Sequence, residues 1–297
     1  MRVIILGCGY LGYNLYGLFK DRFDVELWGI DSPYSDKAPD MVKVNAFDSE
    51  AMSHMDLKDT IVIDAIGLIA NTASSDNEKE ALDRIRRPYL SLMESLKEGK
   101  AKRFLYFSSG GTIYGNTLRP ISESDPVRPM TLYARSKAMC EDLIMTSHVP
   151  YLILRLSNPY GGYQSAEKKQ GVIPILIRKA FLKEPFEMFI DGSSVRDYFY
   201  ITDLAQAIAG LLEQDINNEI VNVGSGIATS LQEIIDRVEH ATGKTVQIVH
   251  RSSEVPTIQS IVLNISKLKN LTGYAPTVSL EEGIQKETER IRKELNL

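Results

Sequence analysis

Short apolar runs alternate with amphipathic runs through the first half of the chain. The apolar runs, which predict strands, lie at 2–6, 24–30, 60–66, 103–108 and 151–156. The amphipathic runs, in which apolar residues recur every three or four positions, predict helices near 11–20, 78–98 and 131–147. This alternation predicts an α/β fold with a doubly wound parallel sheet, in which ligands bind beyond the carboxyl ends of the strands.

The composition is that of an ordinary globular protein and argues against several classes. Its 297 residues are 43% hydrophobic and 25% charged with a formal net charge of -5, and no basic run suggests nucleic acid as a partner. No apolar run approaches the ~20 residues of a membrane span, and no signal peptide precedes the first strand, so we expect a cytoplasmic protein. The two cysteines predict no disulfide framework, and the four scattered histidines predict no metal site.

A glycine-rich loop follows the first predicted strand. It reads Gly7-Cys8-Gly9-Tyr10-Leu11-Gly12, and an amphipathic stretch begins directly after it. A strand, the spacing Gly-x-Gly-x-x-Gly and a helix together form the context of a dinucleotide fingerprint. Glycine lets the backbone turn tightly and approach a pyrophosphate, which the N–H groups and the positive dipole end of the helix can bind.

An acidic residue ends the second predicted strand. Asp31 lies 19 residues after Gly12. Its carboxylate can accept hydrogen bonds from both ribose hydroxyls and repel a 2′-phosphate, which predicts NAD rather than NADP as the cofactor. The alternative is an ordinary strand–helix–strand turn in which Asp31 is solvated.

A second pattern could transfer a proton. Segment 108–115 reads Ser-Ser-Gly-Gly-Thr-Ile-Tyr-Gly at the end of an apolar strand, and Tyr133-x-x-x-Lys137 follows on a predicted helix. These two side chains lie on one helical face, and an ammonium near a phenol favours the phenolate, so Tyr133 can act as a base. Because Tyr16 and Lys20 have the same spacing, the hydroxyl-rich strand end and the nucleotide loop are what single out Tyr133.

Together with later motifs, these features resemble the extended short-chain dehydrogenase/reductase family, and more closely its NAD-dependent nucleotide-sugar epimerase/dehydratase branch, which includes the UDP-glucose 4-epimerases. The later motifs are Arg155-x-x-Asn158-x-Tyr160-Gly161, Arg196-Asp197-Tyr198-x-Tyr200-x-x-x-Asp203 and Asn222-x-Gly224-x-Gly226. The resemblance implies a Rossmann-like NAD-binding domain over 1–165, to which 194–227 returns, and a smaller lobe over 166–297 that binds a nucleotide sugar. It also implies a homodimer that forms through helices near 83–98 and 131–147.

The resemblance assigns roles to individual residues. Tyr133 is similar to the catalytic base, and Lys137 to the residue that assists it and holds the nicotinamide ribose. The usual catalytic hydroxyl is replaced by Gly110, so we expect Ser109 to take its place, with Thr112 as the alternative. The cofactor contacts implied in the same way, besides Tyr133 and Lys137, are Gly7, Gly9, Tyr10, Leu11, Gly12, Asp31, Asn45, Ala46, Ala65, Ile66, Gly67 and Ser108.

A further group resembles the substrate site of the family. Its members are Ser109, Thr112, Asn158, Arg196, Arg251 and Glu254. An arginine can fork onto a diphosphate, which is the chemical reason to expect Arg196 and Arg251 there. A surface ion pair for Arg196 and a solvated side chain for Arg251 are the alternatives. Asp64 departs from the family, which has His or Asn at that place. A buried Asp costs free energy unless it is hydrogen-bonded, and no firm role for it follows from the sequence.

The resemblance implies hydride transfer at C4 of a nucleotide sugar through a 4-keto intermediate. Dehydratases of the family carry an Asp-Glu pair where this chain has Gly110 and Gly111, and the Glu of the decarboxylases is missing too. The remaining alternatives are a 4-epimerase, which the preference for NAD favours, a 4-ketoreductase that makes a 6-deoxy sugar nucleotide, and a cofactor-binding sensor without turnover. The nucleotide and the sugar stay open, and the resemblance implies polysaccharide biosynthesis as the pathway.

Overall fold

The structure is a computed structural model that describes residues 1–30, 32–68, 77–117, 119–165, 171–189, 192–251 and 259–297. Its strands are β1 (Arg2–Leu6), β2 (Asp24–Gly29), β3 (Val42–Lys43), β4 (Ile61–Asp64), β5 (Arg103–Ser109), β6 (Tyr151–Leu156), β7 (Asn158–Tyr160), β8 (Phe186–Met188), β9 (Val195–Arg196), β10 (Tyr198–Tyr200), β11 (Glu219–Val223), β12 (Thr229–Ser230) and β13 (Ile248–His250). Its helices are α1 (Tyr10–Phe19), α2 (Ser49–Ser53), α3 (Glu78–Glu98), α4 (Gly110–Ile113), α5 (Leu132–Thr146), α6 (Val172–Leu182), α7 (Ile201–Glu213), α8 (Leu231–Thr242), α9 (Ser266–Thr272) and α10 (Leu280–Glu294).

Seven parallel strands form the central sheet of the described residues, in the order β11-β6-β5-β4-β1-β2-β3. Along β1, Val3 and Ile5 belong to the core on one face, and Ile4 and Leu6 belong to the core on the other. Because helices cover both faces, the strand is apolar throughout rather than alternating. The strand order reverses beside β1, and the crevice between the carboxyl ends of β1 and β4 is where this architecture binds ligands. The predicted Rossmann-like α/β fold is confirmed.

The strands and helices predicted from the apolar pattern are all present, and the largest difference is at β4. This strand ends at Asp64, two residues before its predicted end. Its neighbour β1 ends at Leu6, and Gly7 turns away from the sheet with a φ of 100°. The Ala65 N–H still donates to the Leu6 carbonyl at 2.8 Å, but β1 has left the sheet beyond that point. The two chains therefore separate at the carboxyl edge and open the crevice.

A buried ion pair anchors helix α5 to the sheet. Arg155, on β6, donates to both carboxylate oxygens of Glu141, on α5, at 3.0 and 2.6 Å, and each side chain is only 4% exposed. A third N–H of Arg155 donates to the Tyr114 hydroxyl at 2.8 Å, just beyond α4. Charges taken out of water in this way need several hydrogen bonds in good geometry, and the contact fixes α5 against β6.

The later part of the chain contributes both to the sheet and to a helical layer. β11 forms the edge of the sheet beside β6, with Val221 opposite Leu154. Helices α6, α8 and α10 pack on one another, and α8 begins with a capping box formed by Ser230 and Glu233. The division into lobes at residue 165 stays a prediction. Among the residues that the structure describes, no helix combines the length and apolar character that a membrane crossing needs.

Candidate active site

The glycine-rich loop has the backbone geometry that a pyrophosphate site requires. A Cβ added to Gly12 would lie 1.9 Å from the Gly7 carbonyl oxygen, so the loop and the start of α1 pack too closely for a side chain there. Gly9 is the N-cap of α1, and its side-chain position meets nothing closer than the Ala65 carbonyl oxygen, 4.0 Å away. No side-chain cap covers the first N–H groups of α1, so these donors and the helix dipole can bind an anion.

The other predicted cofactor contacts lie at the same carboxyl edge. Ala65 lies beneath Gly7, and Gly67, three residues beyond β4, has open space where a side chain would be. Asn45 follows β3, where its side-chain oxygen accepts a hydrogen bond from the Phe47 N–H at 3.1 Å, and Ala46 is buried. Asp31 lies outside the described residues, so the preference for NAD over NADP that rests on it stays a prediction.

Two features of this crevice fit a dinucleotide. No described residue comes within 4 Å of the side-chain position of Gly67, and only the Ala65 carbonyl oxygen, 4.0 Å away, does so at Gly9, which leaves room for a ligand to approach the backbone. The Ser108 hydroxyl is 4% exposed and finds no hydrogen-bond partner in the described parts of the chain. A buried hydroxyl without a partner costs free energy, which a polar ligand group could recover. The glycine-rich loop, Gly7 to Gly12, which we call the cradle, lies at the end of β1. The Ser108 hydroxyl lies at the end of β5, on the other side of β4.

The Tyr/Lys pair lies on the first turns of α5. Thr131 caps this helix by accepting a hydrogen bond from the Ala134 N–H at 3.1 Å, which places Tyr133 in the first turn. The Lys137 ammonium donates to the Phe107 carbonyl at 2.8 Å and lies 5.9 Å from the centroid of the Tyr133 ring. The hydrogen bond fixes α5 against the end of β5. Both side chains are half-buried, so they can meet a ligand.

The sequence analysis did not identify two partners of Lys137. These are the Phe107 carbonyl and the Tyr106 ring, whose centroid lies 4.6 Å from the ammonium. Their positions in the sequence could have indicated them, because Tyr106 and Phe107 are the two residues before Ser108, at the end of a strand that runs beside the Tyr/Lys helix.

The two candidate hydroxyl groups are in contact with each other. Thr112 donates to the Ser109 hydroxyl oxygen at 2.9 Å, across the first turn of α4. A side chain at Gly110 would lie 2.7 Å from Leu263 and 3.1 Å from the Arg155 carbonyl, so the position usual for the family's hydroxyl has no room here. Because Ser109 accepts from Thr112, its own proton is available for another acceptor.

Two of the predicted substrate residues, Asn158 and Arg196, follow strand β6 in the chain. Asn158 lies 3.9 Å from the side-chain position of Gly111, and its amide N–H donates to the Asp197 carbonyl at 2.9 Å. Arg196, on β9, donates to the Val195 carbonyl at 2.9 Å. Burial lowers the pKa of Arg196, against the opposite effect of Tyr198.

The remaining two substrate residues are less informative. Arg251 follows β13 and is half exposed, and it forms a surface ion pair with Glu187 at 3.0 Å rather than being solvated alone. Glu254 lies outside the described residues. No observation tests the individual contacts, so the cofactor and substrate assignments stay predictions.

A dinucleotide cradle beside a Tyr/Lys helix and a strand-end hydroxyl defines a class of NAD-dependent enzymes. The sequence profile of the NAD dependent epimerase/dehydratase family matches residues 3–224, which is most of the chain. The protein therefore belongs to this family, within the extended short-chain dehydrogenases/reductases, and its cofactor is NAD.

Individual relatives of known name agree with this assignment. The dTDP-4-dehydro-6-deoxyglucose reductase of Escherichia coli is 32% identical over 82% of this chain and 78% of its own length. The UDP-glucose 4-epimerase of Thermus thermophilus, solved in complex with NAD, is 25% identical with a TM-score of 0.87, over 98% of this chain and 99% of its own. The UDP-glucose 4-epimerase of Thermotoga maritima, solved with UDP-glucose, has the same fold, with a TM-score of 0.87 at 24% identity over 99% and 100% of the two chains.

Proposed function

We propose that this protein is an NAD-dependent nucleotide-sugar 4-epimerase. The observation that carries the proposal is the hydrogen bond from Lys137 to the Phe107 carbonyl, which fixes Tyr133 beside the strand end that bears Ser109. The likeness to a UDP-glucose 4-epimerase over nearly the whole chain supports it. The nucleotide and the sugar are not part of the proposal.

In this reaction Tyr133 acts as the base that takes the proton from the C4 hydroxyl of the sugar. NAD, when bound, supplies the acceptor for the hydride that leaves C4. Ser109, oriented by Thr112, donates a hydrogen bond to the resulting 4-keto oxygen, and Lys137 stabilises the charge on Tyr133. If the 4-keto sugar rotates in the site so that hydride returns to its opposite face, the configuration at C4 is inverted and no cofactor is consumed.

A second candidate is a 4-ketoreductase that acts on a 4-keto-6-deoxy sugar nucleotide. The relative at 32% identity carries a reductase name, which is the specific observation in its favour. Both candidates need the same base and hydroxyl, and they differ in whether reducing equivalents are consumed. A 4,6-dehydratase is disfavoured, because the side-chain positions of Gly110 and Gly111 offer no acid or base.

The test is an NMR time course with the purified protein. UDP-hexoses, UDP-N-acetylhexosamines and a dTDP-4-keto-6-deoxyhexose are each supplied with and without NADH. Inversion at C4 without added reductant supports the epimerase. Consumption of the keto sugar only with stoichiometric loss of NADH replaces it with the reductase, and binding of NAD with no turnover of any substrate favours a sensor.

The same assay tests the role of Tyr133. Replacement of Tyr133 by Phe should reduce kcat by ~10²–10⁴, the usual contribution of a general acid–base group. Tyr16→Phe is the matched control. Tyr16 has the same spacing to a lysine, Lys20, but its hydroxyl bonds Asp40 at the surface, so its loss should leave turnover unchanged. A Tyr133→Phe enzyme with nearly full activity would remove Tyr133 from the mechanism.

We also propose a cytoplasmic homodimer that assembles through α3 and α5 and serves polysaccharide biosynthesis. The two helices pack on each other, a groove along them is lined in part by Leu82, Met139 and Leu143, and Leu90, also on α3, is 44% exposed. Apolar side chains on a paired helical surface favour a second copy. Light scattering should give twice the 33.3 kDa mass of the monomer, and a monomeric mass at micromolar concentration contradicts the dimer.

A further inference from the structure

A buried carboxyl group that the proposed reaction does not use lies at the end of β4. Asp64 is 2% exposed, in a part of the sheet that is otherwise apolar. The Tyr89 hydroxyl, from α3, donates to one of its oxygens, and the Ile66 N–H donates to the other at 2.9 Å. Asp64 is the acceptor in both hydrogen bonds, which is the arrangement expected around a carboxylate.

The carboxyl group belongs to a chain of polar groups behind the Tyr/Lys helix. In the sheet, Asp64 lies directly opposite Tyr106 on β5, so their side chains share one face. The rings of Tyr89 and Tyr106 meet edge to face, with their centroids 5.8 Å apart. The Lys137 ammonium lies 4.6 Å from the centre of the same Tyr106 ring. Asp64 and Lys137 are thus separated by one aromatic side chain.

Within the described residues, the charged groups that act on this cluster are Asp64, Lys137 and Glu141. Burial raises the pKa of Asp64, and the Lys137 ammonium is the largest opposing influence, followed by Tyr89 and Ile66. Burial also raises the pKa values of the Tyr89 and Tyr106 hydroxyls and of the Cys140 thiol, so these groups stay neutral donors. The ionisable groups of this cluster, besides Lys137, include Asp64 on β4, Tyr106 on β5, Tyr89 on α3, and Tyr133, Cys140 and Glu141 on α5.

We propose that Asp64 is a positioning residue that acts through Lys137: its carboxylate holds the ammonium over the Tyr106 ring and sets the pH range in which the Tyr133–Lys137 pair works. This inference rests on the proposed function, because it concerns the base of the same reaction. In general, a nearby carboxylate favours an ammonium and disfavours a phenolate. It therefore moves the active pH range upward. A purely structural Asp64 would only tie β4 to α3.

The decisive variant is Asp64→Asn. Asn has the same shape and can keep hydrogen bonds to Tyr89 and Ile66, but it carries no charge. The pH profile of kcat/KM should move to lower pH at both limbs by at least ~0.5 pH unit, because the phenolate loses a like charge and the ammonium loses an opposite one. KM for the nucleotide sugar should stay unchanged, since the Asp64 side chain is only 2% exposed. An unshifted profile would overturn the proposal.

Two further variants separate electrostatics from damage to the fold. Asp203→Asn is the matched control. Asp203 lies on α7, remote from the Tyr/Lys helix, and it is also fully buried. Its carboxylate accepts hydrogen bonds from Thr277 and Val278. This variant should lower the melting temperature without moving the pH profile. Tyr89→Phe removes one donor to Asp64 and keeps the ring, and it should shift the profile in the same direction by less. An equal shift in the Asp203 variant would contradict the proposal.

A readout without turnover distinguishes this inference from the proposed function. The ammonium of Lys137 can be titrated by NMR of ¹³C-labelled lysine in the NAD-loaded protein. The Lys137 signal is assigned by its loss in a Lys137→Met variant. Its titration midpoint should fall in Asp64→Asn and stay unchanged in Asp203→Asn. If no substrate is turned over but the midpoint falls, the proposed function fails while the coupling of Asp64 to Lys137 stands. An active wild type whose midpoint does not respond to Asp64→Asn leaves the function intact and refutes the coupling.

Discussion

Replacement of Gly9 by alanine should abolish tight NAD binding while leaving the fold intact. Gly9 has φ -100° and ψ -164°, which any residue can adopt, and the new methyl would meet only the Ala65 carbonyl oxygen at 4.0 Å. The change in stability should therefore stay within ~0.5 kcal/mol. The methyl would instead fill the space through which a pyrophosphate reaches the N–H groups of α1. Loss of two charge-assisted hydrogen bonds of about 1.5 kcal/mol each corresponds to about 100-fold weaker binding.

Two other glycines in the same segment provide the comparison. At Gly12 the methyl would lie 1.9 Å from the Gly7 carbonyl oxygen, and because that atom belongs to the backbone, the loop must move by more than ~1 Å. We expect a loss of about 1–3 kcal/mol or more in the free energy of unfolding. At Gly17, exposed on α1 with nothing within 4 Å, alanine should stabilise the helix by about 0.5–1 kcal/mol and leave NAD binding unchanged.

Urea unfolding measures the stability of each variant. Its affinity for NAD is measured by calorimetric titration of NAD into protein from which the cofactor has been removed. The expected pattern is three different results from one kind of substitution: binding lost at Gly9, stability lost at Gly12, and neither lost at Gly17. A Gly9→Ala protein that binds NAD as tightly as the wild type would refute the cradle. A Gly12→Ala protein of normal stability would refute the close packing of the loop.

The remaining predictions concern the hydroxyl pair and two buried charges. Ser109→Ala should lower kcat by ~10²-fold or more, because it removes the proposed donor to the 4-keto oxygen. Thr112→Val removes only the hydrogen bond that orients the Ser109 hydroxyl, so it should lower kcat by less. Equal kcat values for the two variants in the NMR assay would contradict this order. Glu141→Gln leaves the buried Arg155 without its counter-charge and should cost about 3–5 kcal/mol in urea unfolding, so a loss below about 1 kcal/mol would show that the ion pair is not buried in solution. Burial raises the pKa of Glu287 above its value in the unfolded chain, although Arg290 forms an ion pair with it on the same helix. The contribution of Glu287 to the free energy of unfolding is therefore fully present below the unfolded pKa of ~4.3. It is lost as the pH rises through the folded pKa. The stability of the wild type relative to Glu287→Gln should accordingly fall as the pH rises above about 4, and a rise with pH would contradict the direction.

Local patterns in the sequence determined the layout of the nucleotide-binding half. A strand buried on both faces must be apolar along its length, and a helix on one face must be apolar every three or four residues, so β1, β2, β4, β5 and β6 could be predicted within two residues. The glycine spacing and the Tyr/Lys spacing are equally local, because each is a requirement of one turn or one helical face. These features identified the family and its cofactor before any contact was known.

The tertiary structure alone decided how the candidate catalytic groups are oriented. Gly110 has no room for a side chain because Leu263 and the Arg155 carbonyl, far away in the sequence, pack against it. The neighbouring Thr112 hydroxyl donates to Ser109. Lys137 likewise finds its carbonyl partner on Phe107, 30 residues earlier.

The same holds for the buried carboxyl group. Nothing in the neighbouring sequence of Asp64 indicates that Tyr89 would donate to it or that Tyr106 would lie between it and Lys137. Those partners come from β4, β5, α3 and α5, which are brought together by the burial of apolar side chains over the whole sheet. Sequence spacing determines which residues share a face of one element, but the environment of a buried charge depends on every element that packs around it, and only the folded chain specifies that.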